Sequence, residues 1–264
     1  MLVIKRIFVL LFSAFLLVGC SGENSVRVNG GGYYDIDNKA IGWGLKKEEG
    51  KPPVIPDNIK AMLSEHNAIY LGDTKENKIY LTFDEGYENG YTAPILDILK
   101  EKNVKAAFFI TGDYFNRSFE LVKRMVEEGH IIGNHAYYHH NLSKLSAPEK
   151  IIEELSLLDN KVNENFGFKM KYMRPPEGQY SERVLAVASD MGYKTVFWSF
   201  AYKDWIAEER RGADYALGKI MPFIHGGEIM LLHAVSADNC EALPTVIDKA
   251  REAGFEFGSL DDIN

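Results

Sequence analysis

Seven short apolar runs alternate with helix-like stretches, and this rhythm constrains the fold more than any other feature of the chain. The strand-like runs are 79–83, 106–110, 130–133, 172–174, 195–200, 229–233 and 255–257. Glycine ends a helix-like stretch just before the next strand at Gly129, Gly192, Gly227 and Gly254, because it accepts the left-handed conformation of a helix end. The alternation predicts an α/β fold with a parallel sheet, either closed as a barrel or doubly wound.

The first twenty residues indicate an export signal rather than a part of the fold. Lys5 and Arg6 precede an apolar run over residues 7–18, which is short for a membrane-spanning helix. Cys20 follows this run, and the junction resembles the bacterial lipobox, in which the cysteine is lipidated. We therefore expect a lipoprotein-type signal peptide over 1–19 and secretion across the cytoplasmic membrane, with Cys20 anchoring the protein to the outer face. The alternative is an ordinary signal peptide with Cys20 there by chance.

The region after the signal divides into three parts. Residues 20–51 contain Gly30-Gly31-Gly32 and show no regular period, which predicts a flexible tether. Residues 52–78 form an N-terminal extension, in which a short helix is expected from Asp57 to about His66. Residues 79–264 hold the strands and helices of the main domain.

Charge and cysteine content exclude two classes of protein. The chain has 30 Lys and Arg against 38 Asp and Glu, a formal net charge of −8, so it has no basic surplus with which a general nucleic-acid-binding protein neutralises phosphates. Cys240 is the only cysteine besides Cys20, so the mature chain has no disulfide framework. Its stability has to come from a hydrophobic core.

Side chains suited to catalysis follow several of the predicted strands. They are Asp84 and Glu85, His135 and His139, Arg174, Asp204 with Trp205, and His233. The active site of an α/β barrel lies at the C-terminal ends of its strands. We therefore expect these residues to converge on one rim.

The spacing of His135 and His139 suggests a metal site. Four residues bring two imidazoles to one side of a helical turn, and two histidines with one carboxylate form a common open site for Zn²⁺. Asp84 and Glu85 are neighbouring carboxylates, of which one could face the metal and the other its water. The alternatives are a cluster of surface histidines and a solvated pair of acids.

A proton donor is suggested on another strand. His233 follows a buried apolar run, and Asp204 could pair with it and raise its pKa, which suits a general acid. A lone histidine is otherwise more often structural.

Five ordered motifs together resemble the polysaccharide deacetylases, the NodB-homology family-four carbohydrate esterases. They are Thr82-Phe83-Asp84-Glu85-Gly86, His135-x-x-x-His139, Arg174-Pro175-Pro176-Glu177-Gly178, Asp204-Trp205 and Leu231-Leu232-His233. The resemblance covers about residues 79–258. It implies a distorted (β/α) barrel of about seven parallel strands, in agreement with the strands counted above.

Stretches outside these motifs are similar to one branch, the delta-lactam-biosynthetic deacetylases of spore-forming bacteria. They are Trp43–Lys47, Tyr70–Thr74, Gly86–Thr92 and Phe197–Tyr202. The resemblance implies removal of the acetyl group from N-acetylmuramic acid in peptidoglycan, after an amidase has stripped the peptide. The free amine then closes to the muramic δ-lactam of spore cortex, so the forespore envelope is an expected location.

The resemblance also implies a role for each motif residue. Asp84 is the general base and Arg174 holds it ionised, while His233, tuned by Asp204, protonates the leaving amine. The metal ligands are His135, His139 and, at the third position, Glu85. Substrate contacts are Trp205 as a pocket wall, the backbone near Glu177 and Gly178 for the oxyanion, and Tyr137, Tyr138 and Tyr180 for stacking on sugar rings.

Glu85 departs from the family pattern, which usually has Asp at that position. The extra methylene requires the side chain to bend or the ion to shift by about an ångström, whereas ligand distances tolerate about 0.2 Å. We expect one divalent ion, with Zn²⁺ first and Co²⁺ or Mn²⁺ as alternatives.

Two other functions compete with the leading hypothesis. One is deacetylation of N-acetylglucosamine in peptidoglycan, of chitin oligomers or of xylan esters. The other is a lipoprotein that binds glycan without turnover, its metal site degraded by Glu85. Intact Asp84, Arg174 and His233 favour an enzyme over such a binder.

Overall fold

The computed structural model describes residues 30–263, so Cys20 and the predicted signal peptide lie outside the described part. Its strands are β1 (Ile41–Gly42), β2 (Ala68–Ile69), β3 (Lys78–Glu85), β4 (Ala107–Ile110), β5 (Ile131–Asn134), β6 (Tyr172–Met173), β7 (Gln179–Tyr180), β8 (Lys194–Val196), β9 (Glu228–His233) and β10 (Glu256–Phe257). Its α-helices are α1 (Asp57–Glu65), α2 (Thr92–Glu101), α3 (Gly112–Arg117), α4 (Phe119–Glu127), α5 (Pro148–Phe166), α6 (Glu182–Asp190), α7 (Ala213–Ile220) and α8 (Ala237–Glu252). None of these helices has the length and apolar character that crossing a bilayer requires.

The parallel strands form one curved sheet. Its order is β10-β3-β4-β5-β6-β8-β2, and β9 also pairs with β3. Beyond β8, the Ser199 N–H donates to the Ile229 carbonyl at 3.0 Å and the Leu231 N–H donates to the Phe200 carbonyl at 2.9 Å. These bonds join the segment after β8 to β9 only over a short stretch. The barrel is therefore closed incompletely and is distorted. All seven predicted strands are present, and the predicted fold class is confirmed.

Strand β3 shows how the barrel separates two environments. Successive side chains of a strand point to opposite faces. Leu81 and Phe83 pack in the cluster that includes the surrounding helices, whereas Tyr80 lies in a cluster built mainly from strand residues inside the barrel. Four residues further along from Tyr80, Asp84 shares its inner face. Glu85 falls on the same face as Phe83, toward the helices.

The N-terminal segment packs against the barrel, which corrects the expectation of a flexible tether up to residue 51. Tyr33 is buried and its hydroxyl donates to Asp190 at 2.6 Å. Strand β1 pairs antiparallel with β7. Trp43 stacks on Phe197 with ring centroids 4.4 Å apart, and its indole N–H donates to the Trp198 carbonyl at 3.0 Å. The helix expected from Asp57 is present as α1.

Candidate active site

The C-terminal ends of β3, β5 and β9 open into one cavity of about 960 Å³. Asp84, His135, His139 and His233 all line it, although they come from sequence positions up to 149 residues apart. The position of these four side chains at or just after strand ends therefore predicted their common location correctly.

Asp84 is clamped by a fully buried arginine. Arg174 Nη1 donates to Asp84 Oδ1 at 2.7 Å, and Nη2 donates to Thr82 Oγ1 at 3.0 Å. The guanidinium also lies 4.1 Å from the centre of the Phe109 ring. Burial alone would raise the pKa of Asp84, but the positive charge of Arg174 and the nearby imidazoles lower it below its usual value. Asp84 is thus an ionised carboxylate with a fixed orientation.

His135 is held as a neutral imidazole with one nitrogen free for the cavity. Its Nδ1 lies 2.8 Å from the Arg174 carbonyl oxygen. Because a carbonyl only accepts hydrogen bonds, Nδ1 carries the proton and Nε2 carries the lone pair. Nε2 lies 3.6 Å from Asp84 Oδ2. Burial lowers the pKa of His135 to about 4, so the ring is neutral at pH 7, which is the form that binds metals.

His139 is brought beside His135 by a loop rather than by a helical turn, which corrects the expected local structure. Residues 135–140 follow β5 without helix, and Ala136 and His139 have left-handed φ values of 63° and 57°. The two imidazole centroids are 5.0 Å apart. Burial also lowers the pKa of His139. The loop therefore presents two neutral imidazoles to the same space.

Glu85 does not join these imidazoles, which corrects its expected place as the third ligand. It lies outside the cavity lining, and both of its carboxylate oxygens are buried without a hydrogen-bond partner. Burial, then the charges of Glu88 and Asp84, raise the pKa of Glu85 well above its usual value. Strand alternation explains this position, because Asp84 already occupies the inner face of β3.

The donor chemistry of the cavity fits a divalent cation. Two neutral imidazoles with a carboxylate nearby match the ligand types of catalytic zinc sites. Within residues 30–263, no three His, Cys, Asp or Glu side chains are already arranged as a complete site. His135 and His139 are thus the residues that would hold an ion, and a complete set of ligands requires adjustment or water.

His233, across the cavity, differs in its hydrogen-bond partner. Its Nδ1 lies 2.7 Å from Asp204 Oδ1, and its backbone N–H donates to Asp204 Oδ2 at 2.9 Å. Burial lowers the pKa of His233, but the charge and hydrogen bond of Asp204, together with the charge of Asp84, raise it above its usual value. The ring therefore holds its proton more tightly than a free imidazole does. The Trp205 ring lies 5.7 Å from the His233 ring and is half exposed, as a pocket wall requires.

The predicted substrate contacts have mixed outcomes. Glu177, Gly178, Tyr137 and Tyr138 line the cavity. Tyr180 does not: it is buried in β7 against Trp43 and Phe197, so the prediction that it stacks on sugar is wrong.

The Glu177–Gly178 turn has an unusual backbone. Glu177 has φ 60° and Gly178 has φ 62°. A Cβ on Gly178 would lie 2.7 Å from the Trp198 ring, so glycine is required there. Glu177 is held by Asn141, whose amide donates to its carboxylate at 3.1 Å. A strained non-glycine residue beside a cavity is typical of functional sites.

Several cavity residues were missed from the sequence. Asp113 and Asn116 of α3 line the wall that follows β4, and their place just beyond a predicted strand is a signal that could have identified them. Trp43 and Trp198 line it too. Both tryptophans lie in stretches that are similar to the delta-lactam branch, but their place in the cavity was not predicted, because Trp43 reaches it only through packing between distant segments.

Comparisons with known proteins agree with this geometry. A family model described as polysaccharide deacetylase matches residues 71–196. A Geobacillus stearothermophilus protein described as an uncharacterized 30.6 kDa protein is 46% identical over 230 residues, which cover 86% of each chain. The peptidoglycan-N-acetylmuramic acid deacetylase PdaA of Bacillus subtilis is 42% identical over 230 residues, covering 86% of this chain and 87% of that protein. The solved structure of PdaA, described as a family 4 carbohydrate esterase, matches with a TM-score of 0.83 over 86% of this chain and 98% of that chain.

Proposed function

The chain belongs to the polysaccharide deacetylase family, and on that premise we propose that it removes the N-acetyl group from N-acetylmuramic acid in peptidoglycan. The reaction hydrolyses an amide: water adds to the acetyl carbonyl, the C–N bond breaks, and acetate and a free amine are released. It needs a base that takes a proton from water and an acid that gives a proton to the amine.

The observation that carries the proposal is that one cavity is lined by Asp84, which is bonded to a buried arginine, and by His233, which is bonded to an aspartate. Asp84 is ionised and fixed by Arg174 at 2.7 Å. His233 is biased toward its protonated form by Asp204 at 2.7 Å. The muramic target is supported by the relative named for this activity, which is 42% identical over most of its length.

Asp84 acts as the general base. Its Oδ1 is occupied by Arg174, so Oδ2 is the oxygen that accepts the proton of the attacking water. The guanidinium keeps the carboxylate ionised until the water is in place, and it stays buried beneath the carboxylate throughout. A second donor from Arg174 to Thr82 prevents the guanidinium from rotating away.

His233 acts as the general acid. Its Nδ1–H bond to Asp204 leaves Nε2 as the nitrogen that gives its proton to the departing amine. Asp204 stabilises the imidazolium and fixes its orientation. Trp205 covers the neighbouring side of the cavity and limits the space available to the acetyl group.

A divalent cation is the cofactor, because deacetylases of this family are generally metal-dependent. His135 and His139 would hold it, and Zn²⁺ suits this donor set, with Co²⁺ or Mn²⁺ as alternatives. When bound, the ion polarises the acetyl carbonyl and the attacking water. The backbone of Glu177 faces the same cavity, where its N–H would stabilise the oxyanion, whereas the Gly178 N–H donates to the Pro175 carbonyl at 3.2 Å.

The test is release of acetate from three substrates by the Zn²⁺-loaded protein. They are glycan strands stripped of peptide, intact peptidoglycan, and chitin oligomers. We expect acetate from the stripped strands only, with the new amine located on muramic acid by mass spectrometry. Asp84→Asn is the matched control, because it keeps the size of the side chain and removes the base.

The other outcomes favour the competing functions. Equal activity on chitin oligomers or on glucosamine residues contradicts the muramic specificity. The residues that line the described cavity include Asp113 and Glu177 but no lysine and no exposed arginine that could pair with the lactyl carboxylate of muramic acid. The comparison of muramic acid with glucosamine substrates is therefore a stringent test of the proposed specificity. If Zn²⁺- and Co²⁺-loaded protein release no acetate from any glycan, the protein is a binder.

The proposed reaction also has a place in a sequence of steps. An amidase acts first, because the lactyl carboxyl is free only after the peptide is removed. The amine made by this protein then condenses with that carboxyl, with loss of water, to give the muramic δ-lactam of spore cortex. Sporulating cells that lack the gene should therefore contain stripped muramic acid that is still acetylated, and no δ-lactam.

Anchoring at the outer face of the cytoplasmic membrane is the proposed location, with the forespore envelope as its place during sporulation. The basic and apolar residues before Cys20 support it. Mass spectrometry of the mature N-terminus should show an acylated Cys20. An unmodified N-terminus at another residue would contradict the anchor.

A further inference from the structure

Asp204 lies in a segment without helix or strand, between β8 and α7, yet its carboxylate is fully engaged. Oδ1 accepts from the His233 ring at 2.7 Å. Oδ2 accepts from the His233 backbone N–H at 2.9 Å and from the side-chain amide of Asn239 at 2.6 Å. Asn239 is thus the one side chain besides His233 that bonds this carboxylate within the described part of the chain.

Asn239 is a rigid donor. It is buried in the first turn of α8, where its backbone N–H bonds the capping Ser236 Oγ at 3.3 Å. The side-chain NH₂ also lies 3.3 Å from the His233 carbonyl, and the side-chain oxygen contacts the Tyr202 hydroxyl. Carboxylate and carbonyl oxygens only accept. The NH₂ must therefore face Asp204 and His233, which fixes the orientation of the amide.

We propose that Asn239 is a positioning residue for the general acid: it fixes the Asp204 carboxylate against the His233 ring. The inference rests on the proposed deacetylase function and adds to it a residue outside the five motifs. Asn239 itself touches no substrate, since it is buried behind Asp204 and absent from the cavity lining.

The charges that face His233 define what Asn239 can influence. Asp204 raises the pKa of His233 most, Asp84 raises it further, and Arg174 lowers it. His139 is the other titratable ring near it. Of these charged groups only Asp204 is bonded by Asn239, whose other contact here is the neutral His233 backbone carbonyl, so a loss of Asn239 should change the pKa of the His233 ring through Asp204.

Two substitutions separate positioning from space filling. Asn239→Asp is nearly isosteric but places an acceptor against two acceptors, whereas Asn239→Ala removes the amide. We expect kcat to fall about tenfold in Asn239→Ala and about 100-fold in Asn239→Asp, with KM changed less than about twofold. If Asn239 only fills space, Asn239→Asp will be the milder change, and the proposal is wrong.

A double-mutant cycle tests whether Asn239 acts through Asp204. Adding Asn239→Ala to Asp204→Ala should cause no further loss of kcat, because the carboxylate it positions is already gone. Multiplicative losses would contradict the proposal.

Titration of His233 by NMR in metal-free protein tests the inference without activity. We expect Asn239→Ala to lower the pKa of His233, in the same direction as Asp204→Asn, because the released carboxylate stabilises the imidazolium less. Asn89→Ala is the matched control. The Asn89 amide donates to the carbonyl of Val235, in the segment between β9 and α8, at 3.0 Å and does not touch Asp204. The pKa should not change in that variant.

The outcomes keep the two proposals apart. An unchanged or raised pKa of His233 in Asn239→Ala overturns the positioning role even if the protein is an active deacetylase. If the wild-type protein releases no acetate while the pKa falls as expected, the proposed function fails and the link from Asn239 to His233 stands.

Discussion

The two sides of the cavity use the same residue type for opposite purposes. His135 and His233 are both largely removed from solvent, and burial lowers the pKa of each. The Nδ1 of His135 bonds a neutral backbone carbonyl, and the pKa falls to about 4. The Nδ1 of His233 bonds a carboxylate, and the pKa rises. The charge of one hydrogen-bond partner therefore decides whether an imidazole binds a cation or delivers a proton.

The largest expected effect on kcat comes from substituting the base, Asp84, which lies between the His135 side and the His233 side of the cavity. Asp84→Asn keeps a hydrogen bond to Arg174 but accepts no proton, so kcat should fall about 10³-fold or more. Acetate release under saturating substrate measures it, and circular dichroism checks that the fold is retained. Activity within tenfold of wild type would assign the base to another residue.

A substitution at Asp204 should make the two sides alike. Asp204→Asn gives His233 a neutral partner, as His135 has, so its pKa should fall. The general acid must be protonated to act, and a lower pKa means that it loses its proton at a lower pH. The alkaline limb of the kcat/KM profile should move to lower pH, and kcat at pH 7 should drop about 100-fold. An unmoved limb would show that His233 is not the acid.

Measuring Zn²⁺ affinity shows which residues belong to the side of the cavity that would bind the cation. His139→Ala removes a donor and should weaken Zn²⁺ binding at least about tenfold. Glu85→Gln should leave the affinity within about twofold, because Glu85 lies behind the strand. Calorimetric titration of both variants measures this. A tenfold loss of Zn²⁺ affinity in Glu85→Gln would show that Glu85 is a metal ligand after all.

The smallest effect is expected at the aromatic rim. Tyr138 is 60% exposed and lines the cavity, so Tyr138→Ala should raise KM about 2- to 10-fold, the range of a single aromatic contact. Tyr180→Phe is the matched control and should leave KM unchanged, because Tyr180 is buried in β7. Equal effects of the two changes would mean that Tyr138 does not contact the glycan.

Sequence periodicity was sufficient to predict the barrel fold and the residues at the C-terminal edge of its strands. The buried strands read as apolar runs, and a parallel sheet brings their C-terminal ends together, so Asp84, His135 and His233 could be located without coordinates. The side-chain direction at a strand end was harder. Alternation places Asp84 and Glu85 on opposite faces of the strand. The resemblance to the family motif nevertheless led to the prediction that Glu85 is the third metal ligand.

Contacts between distant segments account for what was missed. Trp43 comes from a stretch with no periodicity, and its position depends on Phe197 and Trp198, more than 150 residues later. Tyr180 belongs to a short pair with β1 rather than to the barrel. Asn239 follows the last motif, and nothing in the local pattern reveals that its amide faces Asp204.

Arg174 links the two halves of the hydrolytic step through a single amino acid. Its carbonyl selects the proton position on His135, while its guanidinium, at the far end of the same residue, orients Asp84. One residue therefore orients both the lone pair of His135 and the proton acceptor of Asp84. A lysine there would preserve the main-chain half of this coupling and lose the forked half.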